Sequence, residues 1–441
     1  MKKLISTIIT LSLLLAALAL PCSAQAESRR PYRFVSCSMG YLVSAAVTDT
    51  GDLYCWGNGS KGQQGNGDTQ NAPVPHRLLS GVKAVSAGYD HIAAVTTDGS
   101  LYTWGDNTRG QLGDGTTASA YTPKKVMEHV KAVSCGHYYT AAVTEDGLLY
   151  CWGCNDSGQL GDGTALQRNT PKQIMSGIRQ VCVTSSASAA AVSENGTLYT
   201  WGANEYGQLG SGSTQASATP QPVFYNVRKV SLGWYHTLIV TEDSELYGCG
   251  KNSSGQLGFS PDGDVLSPRL LSGNVRDAGS GQYYSAYVTT EGTLYTFGRN
   301  TYGQLGCGST AAQTEPTEIM SGADAVSTGF NHCAAIDKSG AMFIWGNSDS
   351  GCLGNGCTVD SLIPQPLGIL SERLWGDVNR DGTVSINDVT ALQGHIAELD
   401  KLDAESILTG DINGDGVTDI GDATEIQRFL AEMTDKFPVE S

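Results

Sequence analysis

One phrase recurs seven times, and its spacing limits what the chain can fold into. The copies are "LYCWGNGSKGQQGNG", "LYTWGDNTRGQLGDG", "LYCWGCNDSGQLGDG", "LYTWGANEYGQLGSG", "LYGCGKNSSGQLG", "LYTFGRNTYGQLGCG" and "MFIWGNSDSGCLGNG". Trp56, Trp104, Trp152, Trp201, Cys249, Phe297 and Trp345 hold the anchor position, at intervals of 48, 48, 49, 48, 48 and 48 residues. A fixed period of this size marks a repeat architecture. Each unit reads as β-structure. In the second, "KAVSAG" is a short strand. "HIAAVTTDGSLYTWG" is a strand, a turn at Asp98-Gly99 and a return strand, which is a hairpin signal. A Gly-rich loop follows, and "TPKKVM" makes a fourth strand. Four short strands per unit predict a propeller blade, and seven units predict an all-β, seven-bladed β-propeller. No helix-length apolar pattern precedes residue 388.

These units resemble the regulator of chromosome condensation repeat family. The resemblance rests on "WGxNxxGQLGxG", on the upstream "VSxGxxHxxAV" and on the period, and it covers residues 32–370. WD-repeat propellers have a shorter period and a Trp-Asp ending that is absent here. The resemblance implies a propeller used as a binding platform. Members of the family include nuclear exchange factors, a plant photoreceptor and a secreted inhibitor of β-lactamases, so the fold carries over and an activity does not.

Residues needed in nearly every blade are packing residues, not catalysts. That reading covers the Trp-Gly and Gln-Leu-Gly positions: aromatics fill the interfaces between sheets and the glycines permit positive φ. No Gly-Lys-Ser/Thr follows any Gly-rich loop, so none cradles a phosphate. His91, His236 and His332 share one repeat position with Tyr139 and Tyr284. An interchangeable His/Tyr is read as a structural hydrogen-bonding residue. No Ser-His-Asp order or isolated carboxylate pair stands out, so the expectation is a non-enzyme.

One repeat position departs from the usual small, polar loop tip. It carries Tyr89-Asp90, His137-Tyr138, Trp234-Tyr235, Gln282-Tyr283 and Phe330-Asn331, with Met39 to Tyr41 nearby in the first blade. Blade symmetry puts these tips on one face around the axis. Their composition suits a protein interface or a sugar-binding face. The alternative is that the rings fold onto neighbouring blades. The fourth blade, "TSSASAAAV", leaves a gap near Ser185 to Ser188. Cysteines at "VSC" and "LYC" occur together in two blades, as Cys37/Cys55 and Cys135/Cys151, which suggests two intrablade disulfides. The closest pair, Cys151/Cys154, has no second pair to complete a metal pattern.

The two ends read differently. Residues 1–26 form an export signal: Lys2 and Lys3, an apolar run from Leu4 into Leu20, and Ala24-Gln25-Ala26 for cleavage. The expected location is extracellular, attached to a scaffold or cell surface. No later apolar run could span a bilayer. The chain after residue 26 has 25 Lys+Arg against 44 Asp+Glu, and residues 376–441 alone hold 4 against 15. This acidity argues against a nucleic-acid partner and suits divalent cations.

In "GDVNRDGTVSIND" and "DINGDGVTDIGD" two calcium loops start at Asp377 and Asp411. Loop positions 1, 3 and 5 are Asp377, Asn379, Asp381 and Asp411, Asn413, Asp415. Gly382 and Gly416 make the sharp turn. Thr383 and Val417 offer backbone carbonyls, Ser385 and Asp419 hold position 9, and Asp388 and Asp422 close the loops. This spacing supplies the oxygens a calcium ion needs, for two ions in all. Apolar stripes follow at matching offsets, Val389, Leu392, Ile396, Leu399 and Ala423, Ile426, Leu430, Met433. No amphipathic helix enters the first loop, which comes instead from "IPQPLGILSERLW".

The duplicated loop–helix pair over 376–435 resembles a type I-like dockerin, reached by a short linker at 371–375 and followed by a tail at 436–441. The resemblance implies a calcium-dependent plug for a cohesin domain of a scaffold, as in cellulosome-like complexes. It also implies cohesin contacts at Ile386, Asn387, Ile420 and Gly421, and at Gly394, His395, Arg428 and Phe429 on the helices. These positions depart from the Ser-Thr pair common in clostridial type I modules. The whole chain is therefore expected to be a scaffold-attached protein whose propeller binds a protein partner. The alternatives are a carbohydrate-binding propeller, or a polysaccharide hydrolase or lyase of the same complex.

Overall fold

A computed structural model of the chain describes residues 32–367, 376, 378–379, 384–397, 399, 402, 410, 412 and 417–431. The predicted export signal, linker and tail lie outside the described residues. The chain divides into two compact units, one being Tyr32–Ile369 and the other containing Leu370–Ser441.

The first unit holds 28 strands in seven four-stranded sheets. Each sheet is antiparallel and uses four consecutive strands, as in β1 (Phe34–Met39), β2 (Val43–Thr48), β3 (Leu53–Gly57) and β4 (Ala72–Leu79). These are the seven blades predicted from the period. The seventh blade runs from β25 (Ala323–Thr328) to β28 (Ser361–Pro366) without borrowing a strand from the first. Ring closure therefore falls to contacts between those two blades. Phe34 N–H donates to Gly340 C=O at 2.9 Å, and the Trp56 indole donates to Cys352 C=O at 2.9 Å.

The constant residues are what each blade uses to hold the next. Trp104 is fully buried and its indole N–H donates to Gln63 C=O in the preceding blade at 2.8 Å. Trp152 does the same to Gln111, Trp201 to Gln159 and Trp345 to Gln304. This is why the Trp-Gly and Gln-Leu-Gly phrases travel together. The Trp-Gly glycine is forced: at Gly105, φ is +104° and a Cβ would lie 2.5 Å from Asp90 C=O. At Gly113 a Cβ would lie 2.5 Å from the Trp152 indole nitrogen. Serines solve the exposed inner edge of five of the seven sheets. Ser38 accepts from Ala87 N–H at 2.9 Å, and Ser86, Ser134, Ser231 and Ser327 repeat the contact one blade on. Each otherwise unpaired backbone donor at these junctions gains a partner.

Phe297 shows that the ring can survive without the indole bond. Trp152→Phe is accordingly expected to cost only about 1 kcal/mol, the net worth of one hydrogen bond, because Thr140 still donates to Gln111 C=O. Chemical denaturation of the two proteins checks this. Trp152→Ala, which empties the interface, is expected to cost roughly 3–5 kcal/mol.

The proposed disulfides are not present. All eleven described cysteines are free thiols. Cys37 pairs with Ala46 on β2 and Cys55 pairs with Ala45, so β2 lies between the two cysteines. Two strand spacings are about 9–10 Å, beyond the roughly 7 Å a disulfide tolerates. Adjacent rows also point to opposite faces. Cys135, opposite Thr140, and Cys151, opposite Ala141, are separated in the same way.

In the second unit, α1 (Ile386–Ile396) and α2 (Ile420–Leu430) share a core of Val378, Val389, Leu392, Ile412, Ala423 and Ile426. The two halves contribute matched residues, as the duplicated sequence requires. Leu399 does not join the predicted stripe. The helix ends at Ile396 and Leu399 is 80 % exposed. Leu430 is 37 % exposed, and Met433 lies outside the described residues. No described helix is long and apolar enough to cross a membrane.

Candidate functional site

The innermost strand of each blade ends at the same face, so the loop tips after β1, β5 (Val82–Ala87), β9 (Val130–Cys135), β17 (Val227–Leu232) and β25 converge around the axis. Tyr41 and Tyr89 stack at 3.9 Å between ring centroids, and Tyr89 stacks on His137 at 3.9 Å. His137 stacks in turn on Tyr138 at 3.8 Å. On the other side Tyr41 meets Phe330 edge-on at 4.5 Å, and Phe330 meets Trp234 at 4.7 Å. The predicted tip residues thus form one continuous aromatic arc. They do fold towards neighbouring blades, but onto one another, and each stays half-buried. Beneath the arc is an axial cavity of about 100 Å³, with Thr184 and Ser185 of the fourth blade lining it where no aromatic stands.

Polar groups are interleaved with the rings. Burial, reinforced by Asp106, pushes the Asp90 carboxyl up to about 6. Burial pushes His137 down to about 4. Asn331 accepts from the Gln304 amide at 3.4 Å, and Asp90 accepts from Gln63 at 3.4 Å. Gln282 is 9 % exposed and contributes little surface. Tyr235 and Tyr283 lie 5.7 Å apart, beside Tyr206 at 4.9 Å from Tyr235. Lys251 sits 4.0 Å above the Tyr206 ring.

Sequence reasoning missed Tyr206, Lys251 and Arg299. Lys251 and Arg299 occupy the variable position inside "WGxN", which is Asn58, Asp106, Cys154, Ala203 and Asn347 in the other blades. A repeat comparison that looks for variation within the constant phrase would have found them.

The repeated histidines hold the blades together. His91 Nε2 lies 2.8 Å from Thr140 Oγ1, His236 Nε2 lies 2.8 Å from Ser285 Oγ, and His332 Nε2 lies 3.0 Å from Ser44 Oγ. Each hydroxyl already donates to a carbonyl, of Gln111, Gln256 and Cys352 respectively. The imidazole must therefore donate through Nε2–H, which leaves Nδ1 as the bare nitrogen. Tyr139 and Tyr284 do the same work, donating to Ser188 C=O and His332 C=O at 2.6 Å.

In the second unit, Asp388 and Asp422 are fully buried. The Asp388 carboxylate accepts from Asn379 N–H at 2.9 Å and from Ser385 N–H at 2.8 Å. Asp422 accepts from Ile412 N–H and Asp419 N–H, both at 2.9 Å. Ser385 and Asp419 cap α1 and α2 in matching capping boxes. Burying a carboxylate is costly without a compensating charge, and an all-oxygen donor set suits calcium. The buried carboxylates of Asp388 and Asp422 therefore suit a cation, while Asn379, Ser385, Val417 and Asp419 lie among the described residues, where no group of three acidic, cysteine or histidine side chains gathers. Asp377, Asp381, Thr383, Asp411, Asn413 and Asp415 lie outside the described residues.

Ile386 and Ile420 are 61 % and 58 % exposed at the two helix starts, with Asn387 exposed and Gly421 half-buried beside them. Gly394 is half-buried, and His395 Nδ1 accepts from Leu402 N–H at 3.3 Å. Arg428 is exposed and pairs with Glu425 at 2.8 Å. Phe429, predicted as a contact residue, is half-buried and packs in part against the helix core.

Comparison with known proteins bears on both units. A family model described as RCC1-like domain matches residues 17–225 and 188–386. A model described as dockerin type I domain matches residues 375–431. A comparison with curated proteins finds no match. Among solved structures, human WBSCR16 is similar with a TM-score of 0.65 and 23 % identity, covering 72 % of this chain and 94 % of that one. Yeast RCC1 (Prp20), solved bound to Kap60, has a TM-score of 0.65 and 22 % identity, covering 73 % of this chain and 84 % of that one. At such identities the likeness establishes the propeller fold alone.

Proposed function

Because the chain belongs to the RCC1-like domain family and ends in a dockerin type I domain, we propose that it is an exported, scaffold-attached, non-catalytic binding protein. Its dockerin plugs into a cohesin in a calcium-dependent way, with one ion in each of the two loops. Its propeller presents the aromatic face to a protein partner. The observation that carries the second half is the arc running from Trp234 through Phe330, Tyr41 and Tyr89 to His137.

The arc favours protein over sugar for a geometric reason. Sugar rings stack on free aromatic faces. Here Tyr41, Tyr89 and His137 already spend their faces on one another, with interplanar angles of 14° and 28°. What they offer outward is a rigid, half-buried rim, the kind of amphipathic surface that anchors protein interfaces. Nor does the face hold a pair of carboxylates in the roles of acid and base. Asp90 and Asp106 are both taken up by glutamine amides, from Gln63 and Gln111.

The expected outcome is no retention on insoluble cellulose, xylan or starch and no release of reducing sugar from them. A protein captured from culture fluid by the intact chain should be lost with Trp234→Ala and Phe330→Ala. Sugar retention that these substitutions abolish would replace this reading with a carbohydrate-binding one. Sugar release would make the protein an enzyme.

A further inference from the structure

In two blades the second tip residue gives an oxygen to the preceding blade's glutamine. Gln63 donates its amide to Asp90, and Gln304 donates to Asn331, each 27 residues on. Counting 27 residues from Gln256 reaches Tyr283, which has no carboxylate or amide oxygen to give. Gln256 is fully buried, and its Oε1 is held by Ser254 N–H at 2.8 Å. That contact fixes the amide orientation and turns Nε2 towards the place where an acceptor is missing. Nε2 is buried without a hydrogen-bond partner.

Two cations stand at the same junction. The backbone N–H of Lys251 is anchored on Tyr235 C=O, and that of Arg299 on Tyr283 C=O. Lys251 Nζ lies 4.0, 5.3 and 5.5 Å from the rings of Tyr206, Tyr235 and Tyr283. The Arg299 guanidinium lies 5.8 Å from Tyr283 and donates to Thr301. Neither cation has a carboxylate within ion-pair distance among the described residues, whereas Arg109 on the other side of the face pairs with Asp156. In a chain of net charge −17, an uncompensated cationic corner on the proposed binding face is a local inversion. An orphaned amide donor, an ammonium and a guanidinium all lack the same thing, a negatively charged oxygen.

We propose that this corner of the face, between the fifth and sixth blades, is a carboxylate-binding subsite that receives an aspartate or glutamate side chain of the protein partner. The proposal rests on the reading of the face as a protein-binding platform. The incoming carboxylate takes the place that Asp90 fills within the second blade, accepting from Gln256 and pairing with Lys251 or Arg299. The three tyrosines screen it from water and confine it.

Fluorescently labelled poly-L-glutamate, titrated with the full-length protein at low ionic strength, is the probe. Polygalacturonate serves as the second arm, presenting the same charge on a sugar. The expected result is polyglutamate binding that exceeds polygalacturonate binding. It should weaken at least about ten-fold, as losing a charge-assisted contact implies, in Lys251→Ala/Arg299→Ala and in Gln256→Glu. Gln256→Glu is isosteric, keeps the bond from Ser254 N–H and fills the subsite with the protein's own carboxylate. Thermal unfolding of each variant establishes that the propeller is intact. Three outcomes would overturn the proposal: no polyglutamate binding, binding unchanged in the variants, or equal or tighter binding of polygalacturonate. None of them touches the platform reading, which partner capture by Trp234→Ala and Phe330→Ala tests separately.

Discussion

Lowering the pH from 6.5 to 4 is expected to destabilise the propeller steeply, with the three inter-blade histidines as the cause. Burial pushes His91 down to about 4, His236 to about 3 and His332 to about 4. Asp106 opposes the shift at His91, while His137 adds to it. A histidine whose value is lower folded than unfolded binds its proton more readily in the unfolded chain. Its stabilising contribution is complete above about 6.5 and is lost as the pH falls towards 4. Each ring would have to be protonated on Nδ1, which is buried without a partner. With a unit of pKa worth about 1.4 kcal/mol, each histidine costs on the order of 3 kcal/mol at the acid end. Three together rival the roughly 5–15 kcal/mol that holds an ordinary domain. Asp90, raised by burial, works in the opposite sense: its contribution is present at low pH and fades as the pH rises towards about 6. It is one group against these three and His137, which burial also pushes down to about 4. The repeat supplies the control, since Tyr139 and Tyr284 bridge the same junction by donating to a backbone carbonyl, without titrating in this range. The triple variant His91→Tyr/His236→Tyr/His332→Tyr should lose most of the fall in melting temperature between pH 6.5 and 4, the remainder belonging to His137, which burial also pushes down to about 4. An acid transition unchanged in that variant would assign the effect to other groups.

Replacing the closing aspartates is expected to remove both the calcium response and the fold of the C-terminal unit. Asp388 and Asp422 each do three things. Each accepts two backbone N–H bonds from its loop and completes the capping box of its helix, and ligating the ion is the third role proposed for it. The capping contribution alone is worth about 1 kcal/mol per helix. Among the described residues the unit's core is six fully buried apolar side chains, and a domain of this size is marginal without a metal or staple. Where a site forms only in the folded state, binding energy is folding energy. Scanning calorimetry of the full-length protein should show a C-terminal transition that rises with added calcium. In Asp388→Ala/Asp422→Ala that transition should disappear at any calcium concentration, with the propeller transition unmoved. A calcium-independent transition in the native protein would count against this.

How much of this was legible in the sequence depended on whether a residue acts alone or in every blade. The 48-residue period carried the ring, because Trp-Gly and Gln-Leu-Gly are the two ends of one inter-blade bond and must recur together. The His/Tyr position was legible for the same reason. Cys37/Cys55 and Cys135/Cys151 misled because joint occurrence gives no strand geometry: a middle strand separates each pair. Leu399 misled because apolar spacing continues past the point where the helix stops at Ile396. The subsite around Gln256 was not read at all. It exists only as a departure from the repeat, a missing oxygen at Tyr283, and becomes visible once the Gln63–Asp90 and Gln304–Asn331 bonds show what the other blades supply.

The measurement that tests the central claim most directly is retention of the full-length protein on an array of immobilised cohesins, with calcium present and then with excess EDTA. The account predicts retention on at least one cohesin in calcium, complete release in EDTA and recovery when calcium is restored, with propeller residues 32–367 alone never retained. Retention that survives excess EDTA, or retention of the isolated propeller, would contradict it.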